Sequence, residues 1–413
     1  MSRSEDVSAR EVSPLAQLVN KRVVTIGGGT GPFGLLTSLK RYPCSITAIV
    51  SMADSGGSSR RLMDEFGHLV PVGDLRQALV ALSRKGALWR DVFTFRFREG
   101  KGHAQRRVLP GGPGDSHAQL VAEQAGVGGH SLGNLIISAL QEINEGNLLW
   151  AIEDAQELLD TAGKVLPVTL SHVTLCAELA DGRIVQSETN IDTRGARHPG
   201  PLPPVTRVFL QEDAQPCEEA IRAIKRADVI VLGPGDLYTS VLPNLLVPGI
   251  AETLRASEAR KVYVCNLMTK HGETDGYRAS DFVREIHHYL GGRVDRVIAH
   301  DGSFPEHLLG RYAAQDQHPV KPDEQALRRL VPDVVIEPLL AIHQDSLVRH
   351  DAERLVRAIF APPHFGLRDE DEGGAISQSK RNGRRGEGQG ARREGERANG
   401  TGTGRRSPER APE

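Results

Sequence analysis

The chain has 413 residues, 25% of them charged and only 4% aromatic, and its 51 basic and 53 acidic side chains leave a formal charge of −2. That balance argues against a nucleic-acid surface, and no apolar stretch is long enough for a signal peptide or a membrane span. Cys44, Cys176, Cys217 and Cys265 are scattered, with neither a C-x-x-C pair nor metal-ligand spacing, so they read as thiols of a reducing compartment, the cytoplasm.

Residues 1–18 are polar, and residues 363–413 are mostly Gly, Arg, Glu and Ser with almost no large apolar side chain. Neither segment can offset the entropy of ordering, so both read as disordered tails around one domain at 19–362. Within that domain Val23-Val24-Thr25-Ile26 is a short β-branched run of the kind found in buried parallel strands. It leads into Gly27, Gly28, Gly29, Thr30 and Gly31, and a literal G-x-G-x-x-G runs from Gly29 to Gly34. Glycine at such a turn lets backbone N–H groups and the next helix N-terminus approach a phosphate. Leu35, Leu36 and Leu39 mark that helix, and Ile46-Thr47-Ala48-Ile49-Val50 is the next strand. Asp54 falls about 20 residues after Gly34, the place of a ribose-binding acid in a dinucleotide fold. A nicotinamide oxidoreductase is the first reading this invites.

The continuation argues against it. Asp54 is followed by Ser55, Gly56, Gly57, Ser58, Ser59, Arg60 and Arg61, a second donor-rich loop suited to phosphate or sugar oxygens, which a ribose acid alone does not require. Asp74, in Gly73-Asp74-Leu75-Arg76, is placed as the N-cap of a helix carrying Ala78, Leu79 and Leu82. Residues 100–128 contain Pro110-Gly111-Gly112-Pro113-Gly114, lack sustained periodicity and read as an insertion or lid.

Gly129-His130-Ser131-Leu132-Gly133 matches the G-x-S-x-G nucleophile elbow of serine hydrolases, but the elbow needs a strand immediately before it. Glu123-Gln124-Ala125-Gly126-Val127-Gly128 cannot supply one, so His130 and Asn134 read instead as ligand groups at the start of a buried helix. Residues 173–189 alternate apolar and polar about Asp181-Gly182, the signature of a hairpin, expected as an antiparallel extension of the sheet.

Wound structure resumes with the strand Ala227-Asp228-Val229-Ile230-Val231-Leu232. It runs into a loop holding Gly233, Gly235, Asp236, Thr239 and Ser240. Ligands of open α/β sheets bind beyond the carboxyl ends of strands, where this loop lies. The same argument covers Asn266, Thr269, Glu273 and Thr274 after the strand Lys261-Val262-Tyr263-Val264-Cys265. Residues 294–299 and 333–336 supply late strands, and Asp351 precedes a last helix through Leu355 and Ile359. His287-His288 and His300-Asp301 read as surface features, because no third metal ligand accompanies them. The fold class is therefore α/β, a modified Rossmann-like wound sheet, mostly parallel, with an antiparallel hairpin extension.

Several strings together resemble the gluconeogenesis factor family: residues 27–31, Ala53-Asp54-Ser55-Gly56-Gly57-Ser58-Ser59, Gly73-Asp74-Leu75-Arg76, Gly129-His130-Ser131-Leu132-Gly133-Asn134, residues 233–240 and Val264-Cys265-Asn266-Leu267-Met268-Thr269. They occur in order across residues 20–300, with a weaker echo at Arg349-His350-Asp351. That family is similar to the phospholactate transferase of deazaflavin coenzyme synthesis. The resemblance implies a cytoplasmic regulator that binds a nucleotide sugar such as UDP-N-acetylglucosamine and supports growth and cell shape on gluconeogenic carbon sources. It implies a diphosphate held by residues 27–31 and 233–240, with Asp54 facing the ligand. A protein partner in cell-wall or carbon-flux control and a homo-oligomer belong to the same expectation; nucleic acid and membrane do not.

Two departures stand out. The family's usual Ala-Asp-Asp-Gly-Gly-Ser-Ser-Gly has Ser55 here in place of the second acid and Arg60 in place of the last glycine, and the insertion at 100–128 is additional. A missing carboxylate weakens a two-acid Mg²⁺ site, so no cofactor is assigned. Mg²⁺ enters only in the transferase alternative, where Asp54 is the catalytic residue acting on a nucleotide-diphosphate-linked donor.

Overall fold

The computed structural model describes residues 18–53, 71–98, 129–198, 200–342 and 347–362. In chain order the strands are β1 (Arg22–Ile26), β2 (Ser45–Val50), β3 (Lys164–Pro167), β4 (Leu175–Leu179), β5 (Ile184–Gln186), β6 (Val205–Leu210), β7 (Val229–Leu232), β8 (Arg260–Val264), β9 (Arg296–His300), β10 (Asp333–Glu337), β11 (Leu340–Ile342) and β12 (Val348–His350). Seven of them form one sheet in the order β10-β9-β8-β7-β1-β2-β3, and every neighbouring pair is parallel.

The order has a direct consequence for ligand binding. From β1 the chain builds outward through β2 and β3, then returns to the other side of β1 for β7 and the strands beyond it. The reversal between β1 and β7 is the topological switch point, at which a crevice opens beyond the strand carboxyl ends. Because all seven strands run the same way, the segments following β1, β2, β7 and β8 emerge at one edge.

The apolar runs explain why these strands lie at the centre. All four residues of β7 and the last four of β1 are buried, as a sheet covered on both faces requires. The helix Gly31–Leu39 carries Pro32 in its first turn, where the missing N–H costs nothing, and buries Leu35, Leu36 and Leu39. Each such side chain contributes roughly 1.5–3 kcal/mol of transfer free energy. Strand β3 has no counterpart among the sequence-based strands: it is four residues long, starts with a lysine and ends in Pro167. Proline is tolerated there because β3 is the sheet edge.

The hairpin turns at Asp181-Gly182 as its sequence indicates, with Gly182 at φ +83°. β6 pairs with the other side of β4, so the antiparallel part is a three-stranded sheet, β5-β4-β6, with its own hydrogen bonding rather than more strands on the parallel sheet. Arg296, fully buried, pins the last helix, Ala352–Phe360. Its guanidinium pairs with Asp333 and donates to the carbonyls of Ala358, Ile359 and Pro362 at 2.6, 3.1 and 3.0 Å. Cys176, Cys217 and Cys265 are buried free thiols and Cys44 is half-buried. No helix among the described residues is long and apolar enough to cross a membrane. The insertion at 100–128 and the tail at 363–413 lie outside the described residues.

Candidate functional site

The switch-point crevice is built from glycines because two loops must touch there. A side-chain carbon on Gly31 would overlap Pro234 O and stand 2.9 Å from Gly235 Cα, so only hydrogen fits between the segment after β1 and the segment after β7. Gly29 sits at φ +66°, and a carbon added there would lie 3.1 Å from Ser240 Oγ. Asn266, just past β8, donates from Nδ2 to Gly235 O at 2.9 Å and so holds the β7 loop from the other side. Above this floor stands the N-terminus of the helix Gly31–Leu39, whose N-cap Thr30 makes no side-chain capping bond. Uncapped first-turn N–H groups and the positive end of the helix dipole favour an anion.

Asp74 differs from its expected role. It lies one position inside the helix Gly73–Leu82, whose N-cap is Val72 without a side-chain bond, so it does not cap that helix. Its carboxylate reaches across the crevice and accepts from Gly29 N at 2.8 Å. A carbon on Gly28 would overlap Asp74 Oδ2, so Gly28 is shaped to this acid. Gly27, Gly28, Gly29, Pro32, Asp74 and Gln77 line a small cleft there. The same turn of the helix supplies Arg76, which donates from Nε to Asn134 Oδ1 at 2.8 Å and from Nη1 to Phe93 O at 3.3 Å.

Asn134 and His130 are therefore buried at the head of the helix Leu132–Ile143, at 3% and 2% exposure, with Asn134 tied to the same helix that presents Asp74. Ser131 Oγ donates to Phe93 O at 3.3 Å, and the residues just before Gly129 lie outside the described residues.

Residues 233–240 turn into a π-helical segment, Leu237–Val241, which buries Tyr238, Thr239 and Ser240. Such segments occur often at functional sites. Tyr238 and Tyr277 share a hydroxyl–hydroxyl bond of 2.8 Å, whereas the buried Thr239 Oγ1 has no hydrogen-bond partner. Thr269 faces elsewhere: its hydroxyl accepts from His318 N at 2.9 Å and its backbone N donates to His318 O at 2.7 Å. Asp54, Ser55, Gly56, Gly57 and Ser58 lie outside the described residues.

One constellation was not anticipated. Lys270, between Thr269 and Glu273, pairs with Asp192, with Asp236 at 2.6 Å and with Glu273 at 3.1 Å. Burial alone would lower the lysine's pKa, but the surrounding Glu273, Asp236 and Asp192 carboxylates outweigh it and hold the ammonium well above its usual range. Burial pushes the Glu273 carboxyl up, to about 8, against the pull of Lys270. In the sequence a lysine within a polar stretch reads as a solvated side chain, and Asp192 is 78 residues away from it. His300 is likewise not the surface residue its neighbours indicate: it is 3% exposed, with Nδ1 accepting from Leu339 N and Nε2 set against Ser303 O.

These features define a doubly wound α/β protein whose open site is the glycine-floored crevice between β1 and β7. The family model described as 2-phospho-L-lactate transferase CofD matches residues 23–340, and the chain belongs to that family, in its gluconeogenesis factor group. The gluconeogenesis factor of Halalkalibacterium halodurans is 41% identical over 341 residues, spanning 82% of this chain and 95% of that one. The gluconeogenesis factor of Bacillus subtilis is 37% identical over 336 residues, spanning 81% and 95%. A crystal structure of a Bacillus halodurans protein superposes with a TM-score of 0.72 at 41% identity, covering 82% of this chain and 99% of that chain.

Proposed function

We propose that this protein is a regulator that binds a nucleotide sugar, UDP-N-acetylglucosamine or a close relative, in the crevice between β1 and β7, and that it acts in the cytoplasm. The observation that carries the reading is the interlocking of residues 27–31 with residues 233–240 at the switch point, beneath an uncapped helix N-terminus. Backbone N–H groups of the helix's first turn and the helix dipole suit a diphosphate at that place, which would displace the Asp74 carboxylate from the Gly29 N–H. Asp236, Ser240 and Asn266 stand where sugar or ribose hydroxyls would need partners, and residues 54–58 add donors by their composition. Binding energy spent on closing the two loops favours one conformation, which a protein partner can read.

Isothermal calorimetry with UDP-N-acetylglucosamine tests the reading. It predicts one site per chain, and loss of binding in Gly31→Val, whose side chain would force the two loops apart. A gene deletion would then impair growth and cell shape on gluconeogenic carbon sources.

The family match also supports a transferase reading, in which Asp54 acts with Mg²⁺ on a nucleotide-diphosphate-linked donor. It requires product formation that Asp54→Asn abolishes while donor binding persists. An absence of turnover with bound donor leaves the regulator reading standing.

A further inference from the structure

Asp192 ends the short helix Glu188–Asp192 next to β5, Asp236 opens the turn after β7, and Glu273 follows β8. One carboxylate oxygen from each lies within 4.8 Å of the other two. The Lys270 ammonium stands among them, paired with each of the three. Glu273 is the informative member. Its side chain is 0% exposed, its Oε2 has no hydrogen-bond partner, and its one ion pair among the described residues is the 3.1 Å contact of Oε1 with Lys270 Nζ. Buried carboxylates ordinarily satisfy their lone pairs, because leaving them bare costs several kcal/mol by order of magnitude. A side chain of this kind, aimed into a cluster of further oxygens, indicates a missing partner of higher charge.

We propose that Asp192, Asp236 and Glu273 form a binding site for a divalent cation of the Mg²⁺/Mn²⁺ class, in which the Lys270 ammonium holds the cation's place until the ion binds. Hard divalent cations take carboxylate oxygens at about 2.0–2.2 Å, so donors spaced as these are can converge on one ion after small side-chain rotations. The set is all oxygen, with neither thiolate nor imidazole, which selects this class over zinc or copper. Lys270 has somewhere to go: its side chain is 20% exposed and its four-carbon stem can carry the ammonium outward. The site joins the antiparallel part of the fold, through Asp192, to the segments after β7 and β8. Cation binding would therefore stiffen the far wall of the crevice. The proposal stands independently of the nucleotide-sugar reading, because its test uses the metal alone.

The experiment is a Mn²⁺ titration of the full chain, with free ion followed by electron paramagnetic resonance and Mg²⁺ as competitor. The wild-type chain is expected to bind one Mn²⁺, displaced by Mg²⁺. Lys270→Ala removes the competing ammonium and should bind at least about tenfold more tightly. Glu273→Gln should bind at least about tenfold more weakly, and Asp236→Asn, at a more exposed position, provides the same test should Glu273→Gln fail to fold. No Mn²⁺ bound by the wild-type chain at millimolar ion overturns the proposal. So does a Lys270→Ala affinity no greater than wild type, or wild-type affinity retained in the folded carboxylate variants.

Discussion

A side-chain carbon at Gly28 would overlap the Asp74 carboxylate, which is itself held by the Gly29 N–H, so the two residues are fitted to each other across two loops. Gly28→Ala should therefore destabilise the fold by about 1–3 kcal/mol, the usual range for forcing extra volume into a packed site. In an Asp74→Ala background the obstructing oxygens are gone and the penalty should shrink, giving a coupling energy of about 0.5–3 kcal/mol in a double-mutant cycle followed by urea denaturation. Equal penalties in both backgrounds would show that Asp74 is not what restricts position 28. The sequence made the glycines legible, because a glycine run after a buried strand has a direct steric meaning. It did not make the roles of the acids legible. Asp74 has the residue type and place of an N-cap, yet its carboxylate reaches across the crevice to a backbone 45 residues earlier. The Lys270 cluster was hidden for the same reason: its charges meet only once β7, β8 and the antiparallel part have been assembled.

At the scale of elements, two anchors hold the C-terminal part of the chain to the sheet. Arg296 pairs with Asp333 and donates to three carbonyls at the end of the helix Ala352–Phe360 while fully buried. Arg296→Ala strands those groups and should cost about 3–5 kcal/mol, against about 0.5 kcal/mol or less for Arg328→Ala, whose pair with Glu324 is exposed. Comparable urea midpoints for the two variants would remove Arg296 from its role. The second anchor is His350 on β12, whose Nε2 lies 3.1 Å from Cys265 O at the end of β8.

Burial pushes the His350 imidazole down to about 4, against the opposing effect of the Cys265 carbonyl, with His300 and Arg349 lowering it further. Because the folded pKa lies below the ordinary value of 6.5, the unfolded chain binds the proton first as pH falls. This contribution to stability is therefore complete above about pH 6.5 and is lost progressively down to about pH 4, by up to about 1 kcal/mol per pH unit. His350→Gln should flatten that part of the stability profile relative to wild type. A parallel decline in the two proteins would contradict the burial of a neutral ring. The other six strands of the parallel sheet were legible from their apolar runs, whereas β3 was not, since a four-residue edge strand closed by proline carries almost no pattern. The hairpin was legible from its turn, but its membership of a separate sheet depends on pairing with β6 about 30 residues away.

For the whole molecule, the sheet order and the loop contacts converge on one place. The opening G-x-G-x-x-G has the meaning of a strand-turn-helix at the switch point, and its usual nicotinamide guest is not required by anything around it. The close approach of Gly31 to Pro234 and the Asn266 bond to Gly235 both centre on a site floored by two loops. A single Rossmann turn would need only one. A thermal-shift panel of UDP-N-acetylglucosamine, UDP-glucose, GDP and NADH tests this most directly, since a ligand bound only by the native state at about 100 times its Kd adds about 2.7 kcal/mol of stability. The account predicts that UDP-sugars raise the melting temperature and NADH does not; a shift with NADH and none with UDP-sugars at the same concentrations would contradict it.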